Sequence, residues 1–173
     1  MNCPTCGAPL RLPEGRDSLP CDYCGAVYLP EVNEDGVRLL GEASTTPCPV
    51  CKIPLEHASI QHQRLLYCTR CRGNLIPMAV FVSLIQELRA RSGGAAAPPH
   101  PPDAGELRRT LHCPKCGRDM QTHYYAGGGN VIMEDCERCE LNWLDAGKLM
   151  SIAHTPGHSM SEYSGSWLEE DRG

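Results

Sequence analysis

The chain is poor in aromatic side chains. Only 5% of its 173 residues are Phe, Trp or Tyr; Phe81 is the single phenylalanine, and Trp143 and Trp167 are the two tryptophans. Large side chains dominate core burial, so one ordinary core for this length is undersupplied. Long apolar runs are lacking as well. The longest candidate, Ala79-Val80-Phe81-Val82-Ser83-Leu84-Ile85, falls far short of the roughly 18 residues of a membrane span, so no membrane partner is expected. Met1-Asn2-Cys3-Pro4 shows no basic start leading into an apolar stretch, so no secretory signal is expected and a reducing cytoplasm is the default compartment. What the chain does have is turn formers and sulfur: 17 Gly, 15 Pro and 12 Cys. That balance points to several small units, each needing a covalent or metal staple.

The cysteines fall at Cys3/Cys6, Cys21/Cys24, Cys48/Cys51, Cys68/Cys71, Cys113/Cys116 and Cys136/Cys139, all as C-x-x-C pairs with none left over. Pairing neighbours leaves 14, 16 and 19 residues inside three units and 23 and 41 between them. The last two units match the spacing of four-cysteine zinc sites, and the first is one residue short of it. A C-x-x-C turn presents two sulfurs to one ion, and Zn2+ takes four soft ligands in a tetrahedron. Three Zn2+ per chain are therefore expected, with all twelve cysteines as ligands. Gly7, Gly25 and Gly117 follow second cysteines, where positive φ lets the turn close; Lys52, Arg72 and Glu140 stand there in the other knuckles. Other readings of the pairs carry requirements of their own. Local disulfides need an oxidising compartment and close loops too small to constrain much. A thioredoxin-like motif needs a βαβ setting that no pair has. Iron suits the same four-sulfur geometry.

Strand-like segments lie between the knuckles. In the third unit residues 120–125 and 131–134 flank Ala126-Gly127-Gly128-Gly129-Asn130, a hairpin signal. The second unit offers 55–59 and 64–67 around Gln61-His62-Gln63, and the first offers Leu10-Arg11-Leu12 before a Pro-Glu-Gly-Arg-Asp loop. The expected fold class is small, metal-stapled and mainly β: three tandem zinc ribbons, the second and third followed by a helix. The boundaries are 1–30 for ribbon one, 31–45 for an acidic linker, 46–91 for ribbon two with its helix, 92–107 for a Gly/Ala/Pro linker and 108–154 for ribbon three with a short helix. The tail, 155–173, is expected to be disordered, with Trp167-Leu168 a candidate docking peptide. The stretch from Ser92 to Gly105, flexible and then proline-stiffened, should leave ribbon three mobile relative to ribbon two.

Units two and three are copies. Aligning Cys68 and Cys71 with Cys136 and Cys139 places Asn74 on Asn142, Leu75 on Trp143, Ile76 on Leu144 and Pro77 on Asp145. The run Cys136-Glu137-Arg138-Cys139-Glu140-Leu141-Asn142-Trp143-Leu144-Asp145-Ala146-Gly147-Lys148-Leu149 resembles the closing motif of the bacterial zinc-ribbon family named for transcription factor IIB, Cys-x-x-Cys-Gly-Gly-x-Trp-Leu-Asp-x-Gly-Glu-Leu. The resemblance covers about residues 46–91 and 110–154. It departs at Glu140-Leu141 and Lys148, and unit two keeps Gly73 but lacks the Trp and the Asp. It implies zinc binding by Cys113, Cys116, Cys136 and Cys139; fold alone does not license a role in transcription.

Trp143 and Leu144 read as a lid over the hairpin, with Asp145 as the N-cap of a helix over 146–153. Pro77 opens the longer helix, from 78 to about 91, whose apolar stripe is Met78, Phe81, Val82, Ile85 and Leu88. That stripe is expected to pack between the chain's own modules, with self-association or a partner as the sharper alternative. The chain carries a net charge of -5, and four-thiolate zinc centres add further negative charge. Only residues 46–91 are locally basic, with six basic against two acidic side chains. A nucleic-acid surface therefore has one candidate place, Lys52, Arg64, Arg70 and Arg72. A candidate binding surface adds Phe81, Val82 and Ile85. No histidine forms a nucleophile–base arrangement, and closed tetrathiolate sites leave zinc no open position, so an enzyme is not expected. The expected function is a protein-interaction module or adaptor with an unidentified protein partner. The alternatives are a nucleic-acid-binding regulator and a zinc or thiol-redox sensor.

Overall fold

The computed structural model describes residues 1–13, 15–91, 104–125 and 131–154. The glycine turn at 126–130, most of the Gly/Ala/Pro linker, and the tail with its Trp167 peptide lie outside these residues. Among the described residues the fold is mainly β, as expected, in two sheets of unequal size.

Ribbon one is minimal. Its strands β1 (Leu19–Pro20) and β2 (Val27–Tyr28) pair antiparallel. Leu10-Arg11-Leu12 forms no strand; only an Asn2–Pro9 bridge precedes the loop. Its core is Cys3, Leu10, Leu19 and Cys21.

The larger sheet joins ribbons two and three. In chain order its strands are β3 (Arg38–Pro47), β4 (Pro54–Ile60), β5 (Gln63–Tyr67), β6 (Asn74–Pro77), β7 (Gln121–Tyr124), β8 (Ile132–Cys136) and β9 (Leu141–Leu144). In space they run β3-β4-β5-β6-β9-β8-β7. The expected hairpins are there: β4 and β5 meet through Gln61 and His62, both at positive φ, as a two-residue turn requires. The acidic segment 31–45 is a linker only in part. Its second half becomes edge strand β3, paired to β4 with two irregularities in register, and it buries Leu40 with Val37 just ahead.

The third ribbon is not separate from the second. β6 pairs antiparallel with β9 as Asn74–Leu144, Leu75–Trp143, Ile76–Asn142 and Pro77–Leu141. Leu75 and Trp143 are equivalent residues of the two copies and they face each other directly, so a local two-fold axis passes through that pair. This is the arrangement of an isologous dimer interface inside one chain. The expected mobility of ribbon three is corrected by this seam: main-chain pairing, not the linker, sets how the ribbons meet.

Alternation sorts side chains onto two faces of the sheet. Ile76, Leu144, Ala58, Ile60, Leu65 and Met133 lie against helices α1 (Met78–Arg91) and α3 (Lys148–His154), which pack on each other. Helix α2 (Ala104–Leu107) is a single turn. Phe81 of α1 meets Tyr125 of ribbon three edge to face at 5.9 Å. The opposite face carries Leu55, Leu75, Trp143 and the sulfurs of sets two and three.

Candidate metal centres

The main chain builds five of the six knuckles identically. The N–H of the first cysteine donates to the carbonyl five residues on: Cys3 to Ala8, Cys21 to Ala26, Cys48 to Ile53, Cys68 to Gly73 and Cys113 to Arg118, at 2.7–2.9 Å. Its carbonyl accepts the N–H four residues on, from Gly7, Gly25, Lys52, Arg72 and Gly117. The knuckle at Cys136 replaces this with one 3-10 turn, Glu137–Cys139. In all six, the residue after the second cysteine has positive φ, from 53° at Glu140 to 75° at Gly7. The three knuckles without glycine thus adopt the same turn.

These turns gather Cys3/Cys6/Cys21/Cys24, Cys48/Cys51/Cys68/Cys71 and Cys113/Cys116/Cys136/Cys139, with all sulfurs of a set within 4.8 Å of one another. Between knuckles, Cys3–Cys24 is 3.7 Å, Cys6–Cys21 3.5 Å, Cys48–Cys71 3.6 Å and Cys116–Cys136 3.7 Å. A tetrahedral ion with bonds to sulfur of about 2.3 Å sets its ligands about 3.8 Å apart. The donor sets therefore fit such an ion and are too open for S–S bonds. Backbone N–H groups aim at sulfurs of the sets, Cys51 N–H onto Cys48 Sγ at 3.2 Å among them. They favour thiolate: the Cys6 N–H is foremost in lowering the Cys3 thiol to about 6, and the Arg118 N–H in lowering Cys116 to about 7. Burial, with neighbouring Cys116 next, pushes Cys139 up to about 12. Among the described residues no histidine joins a set.

The sets differ in cover. In sets two and three the first cysteine of each pair is buried and the second half-buried; in set one Cys6 and Cys24 are exposed. Trp143 is fully buried beside both inner sets. Its ring occupies the space over Gly73, where a Cβ would stand 2.3 Å from Cζ2 and 2.5 Å from Cη2. Trp143 is thus a lid, but one laid across the seam onto ribbon two.

Asp145 is not the helix cap expected of it. Its carboxylate accepts from Trp143 Nε1 at 3.2 Å, Arg109 Nη2 at 2.7 Å and Lys148 Nζ at 2.9 Å. Arg109 also pairs with Glu134, which is fully buried on β8. Burial pushes the Glu134 carboxyl up against the pull of Arg109. Gly73 was marked in the sequence as a retained motif residue, without its contact to Trp143; Arg109 did not stand out, and a glutamate in the apolar run 131–134 was the available signal.

The candidate binding surface is broken up. Phe81 and Ile85 are 7% and 2% exposed inside the helix–sheet core, a correction to their place in an accessible patch; Val82 is exposed. The apolar stripe packs against the chain's own modules, so Phe81 and Ile85 are not free for self-association. Arg72 pairs with Glu34 at 2.7 Å and with Asp35, which also accepts the Tyr67 hydroxyl. Arg64 donates to the carbonyls of Pro13 and Arg16. Lys52, whose Nζ donates to Pro49 O at 2.7 Å, and Arg70 are exposed. No helix among the described residues is long and apolar enough to cross a membrane. No family model, curated protein or solved structure matches the chain.

Proposed function

We propose that the chain is a zinc-binding protein with three structural four-cysteine sites, of the zinc-ribbon family its closing motif resembles, acting as a protein-interaction module. The observation that carries the zinc reading is the convergence of four sulfurs at tetrahedral-edge distances in each set. Zinc there supplies folding free energy, and the twelve cysteines hold it. All protein ligands come from cysteine, which leaves no open position of the kind hydrolysis uses.

The interaction reading draws on ribbon one. Tyr23, Val27 and Leu29 are 77%, 67% and 45% exposed on a unit with little core, a display suited to a protein partner. The nucleic-acid alternative loses support where Arg72 and Arg64 are engaged within the chain, which leaves Lys52 and Arg70. A salt-titrated binding assay with DNA and RNA separates the two. The interaction reading expects weak binding at physiological salt; a steep salt dependence abolished by Lys52→Ala and Arg70→Ala would overturn it.

A further inference from the structure

We propose that the first cysteine set is an oxidant-sensitive metal site whose reagent is a hydroperoxide, and that its oxidation detaches ribbon one from the rest of the chain. The inference rests on the reading of the three sets as metal centres.

Two observations single out this set, and a third, shared with the other sets, supplies the chemistry. Cys6 and Cys24 are exposed, whereas Cys51, Cys71, Cys116 and Cys139 are half-buried. A peroxide must reach sulfur, so exposure sorts the sites kinetically. The structure around the set is also the least able to hold without metal. Two strands of two residues and a core of Cys3, Leu10, Leu19 and Cys21 support it, and half of that core is the ligands themselves. Sets two and three share Leu55, Leu75, Leu111, Met120 and Trp143, with the helix-covered core behind them. Third, each exposed sulfur has a buried partner from the opposite knuckle close by: Cys21 for Cys6 at 3.5 Å, and Cys3 for Cys24 at 3.7 Å.

The chemistry balances with the peroxide alone as oxidant. The thiolate of Cys6 attacks the terminal peroxide oxygen; the O–O bond breaks, hydroxide (alkoxide from an organic hydroperoxide) leaves, and sulfenic acid forms. The Cys21 thiolate then attacks that sulfur and displaces a second hydroxide, forming one S–S bond. Two thiolates have lost two electrons and the peroxide has gained them. With Cys6 and Cys21 joined, only Cys3 and Cys24 would remain to hold a metal, and a unit that owes its fold to metal would unfold.

What is released is a defined contact. Asp17 of ribbon one accepts from His62 at 2.9 Å and from Ser59 at 3.5 Å, and Arg64 donates to the carbonyls of Pro13 and Arg16. Arg38, Ser59 and Arg64 lie in register across β3, β4 and β5, so this row is the seat of ribbon one. Unfolding ribbon one frees Arg64.

The test is a hydrogen peroxide titration of the metal-loaded full chain. Native mass spectrometry counts metals, alkylation mapping reports oxidised thiols, and hydrogen exchange follows residues 57–64. The expected result is loss of one metal of the three, oxidation confined to Cys3, Cys6, Cys21 and Cys24, and faster exchange at 57–64. A Cys6→Ser, Cys24→Ser variant should start with two metals, already show the faster exchange, and lose no metal over the same doses. Simultaneous loss of all metals, first loss from another set, or unchanged exchange after the first loss overturns the proposal. An untreated chain without three metals sinks the metal reading itself, and this inference with it.

Discussion

Lys52, Arg72 and Glu140 occupy the left-handed position that Gly7, Gly25 and Gly117 fill in the other knuckles. A side chain there crowds the following carbonyl by about 1–2 kcal/mol, and glycine does not. Glu140→Gly should therefore stabilise the protein by about 1 kcal/mol in denaturant unfolding, its side chain having no ion pair among the described residues to lose. Arg109 is the opposite case. It is the cation beside buried Glu134, and removing one member of a buried pair strands the other. Arg109→Ala should destabilise by about 3–5 kcal/mol. A carboxyl whose folded pKa is raised leaves the fold most stable below its unfolded value and weakens it as pH rises through the folded one. Without Arg109 the Glu134 pKa rises further, so the defect should deepen with rising pH above the usual 4.5, in melts of the metal-loaded protein. The ligands were readable one by one because each knuckle is local: six residues decide its turn. Arg109 was not, because its partners lie 25 and 36 positions away.

At the scale of elements, the β6–β9 seam is where the copies became one body. Gly73 and Trp143 fit only together: a methyl group at Gly73 collides with the ring across the seam. Overpacking of this kind costs about 1–3 kcal/mol. Gly73→Ala should lower the melting temperature, and adding Trp143→Leu should recover part of the loss, so that the two changes are non-additive in a double-mutant cycle. Independent, additive defects would contradict the seam. The hairpins and α1 could be read from turn residues and a helical stripe, since both signals sit within a dozen positions. The seam could not. A four-residue strand such as Asn74–Pro77 carries too little alternation to name a partner 68 positions on, and Gly41 with irregular pairing hid β3 inside an acidic stretch. Asp145 eluded the sequence for the same reason, its partner Arg109 lying 36 positions away.

At the scale of the molecule, the described residues form a seven-stranded platform with two inner sulfur sets, and a small ribbon seated on one hairpin tip. The platform has a helix-covered core, whereas ribbon one depends on its four cysteines. Chelation should therefore unfold ribbon one first and sets two and three together afterwards, giving two stages in hydrogen exchange instead of three. Twelve cysteines partitioned into three closed sets is the claim on which the rest stands. Native mass spectrometry of the protein purified under reducing conditions tests it most directly. Three divalent metals are expected on each chain, with all twelve thiols protected from alkylation until a chelator is added; two metals or fewer, or a metal-free chain that keeps its fold, would refute the partition.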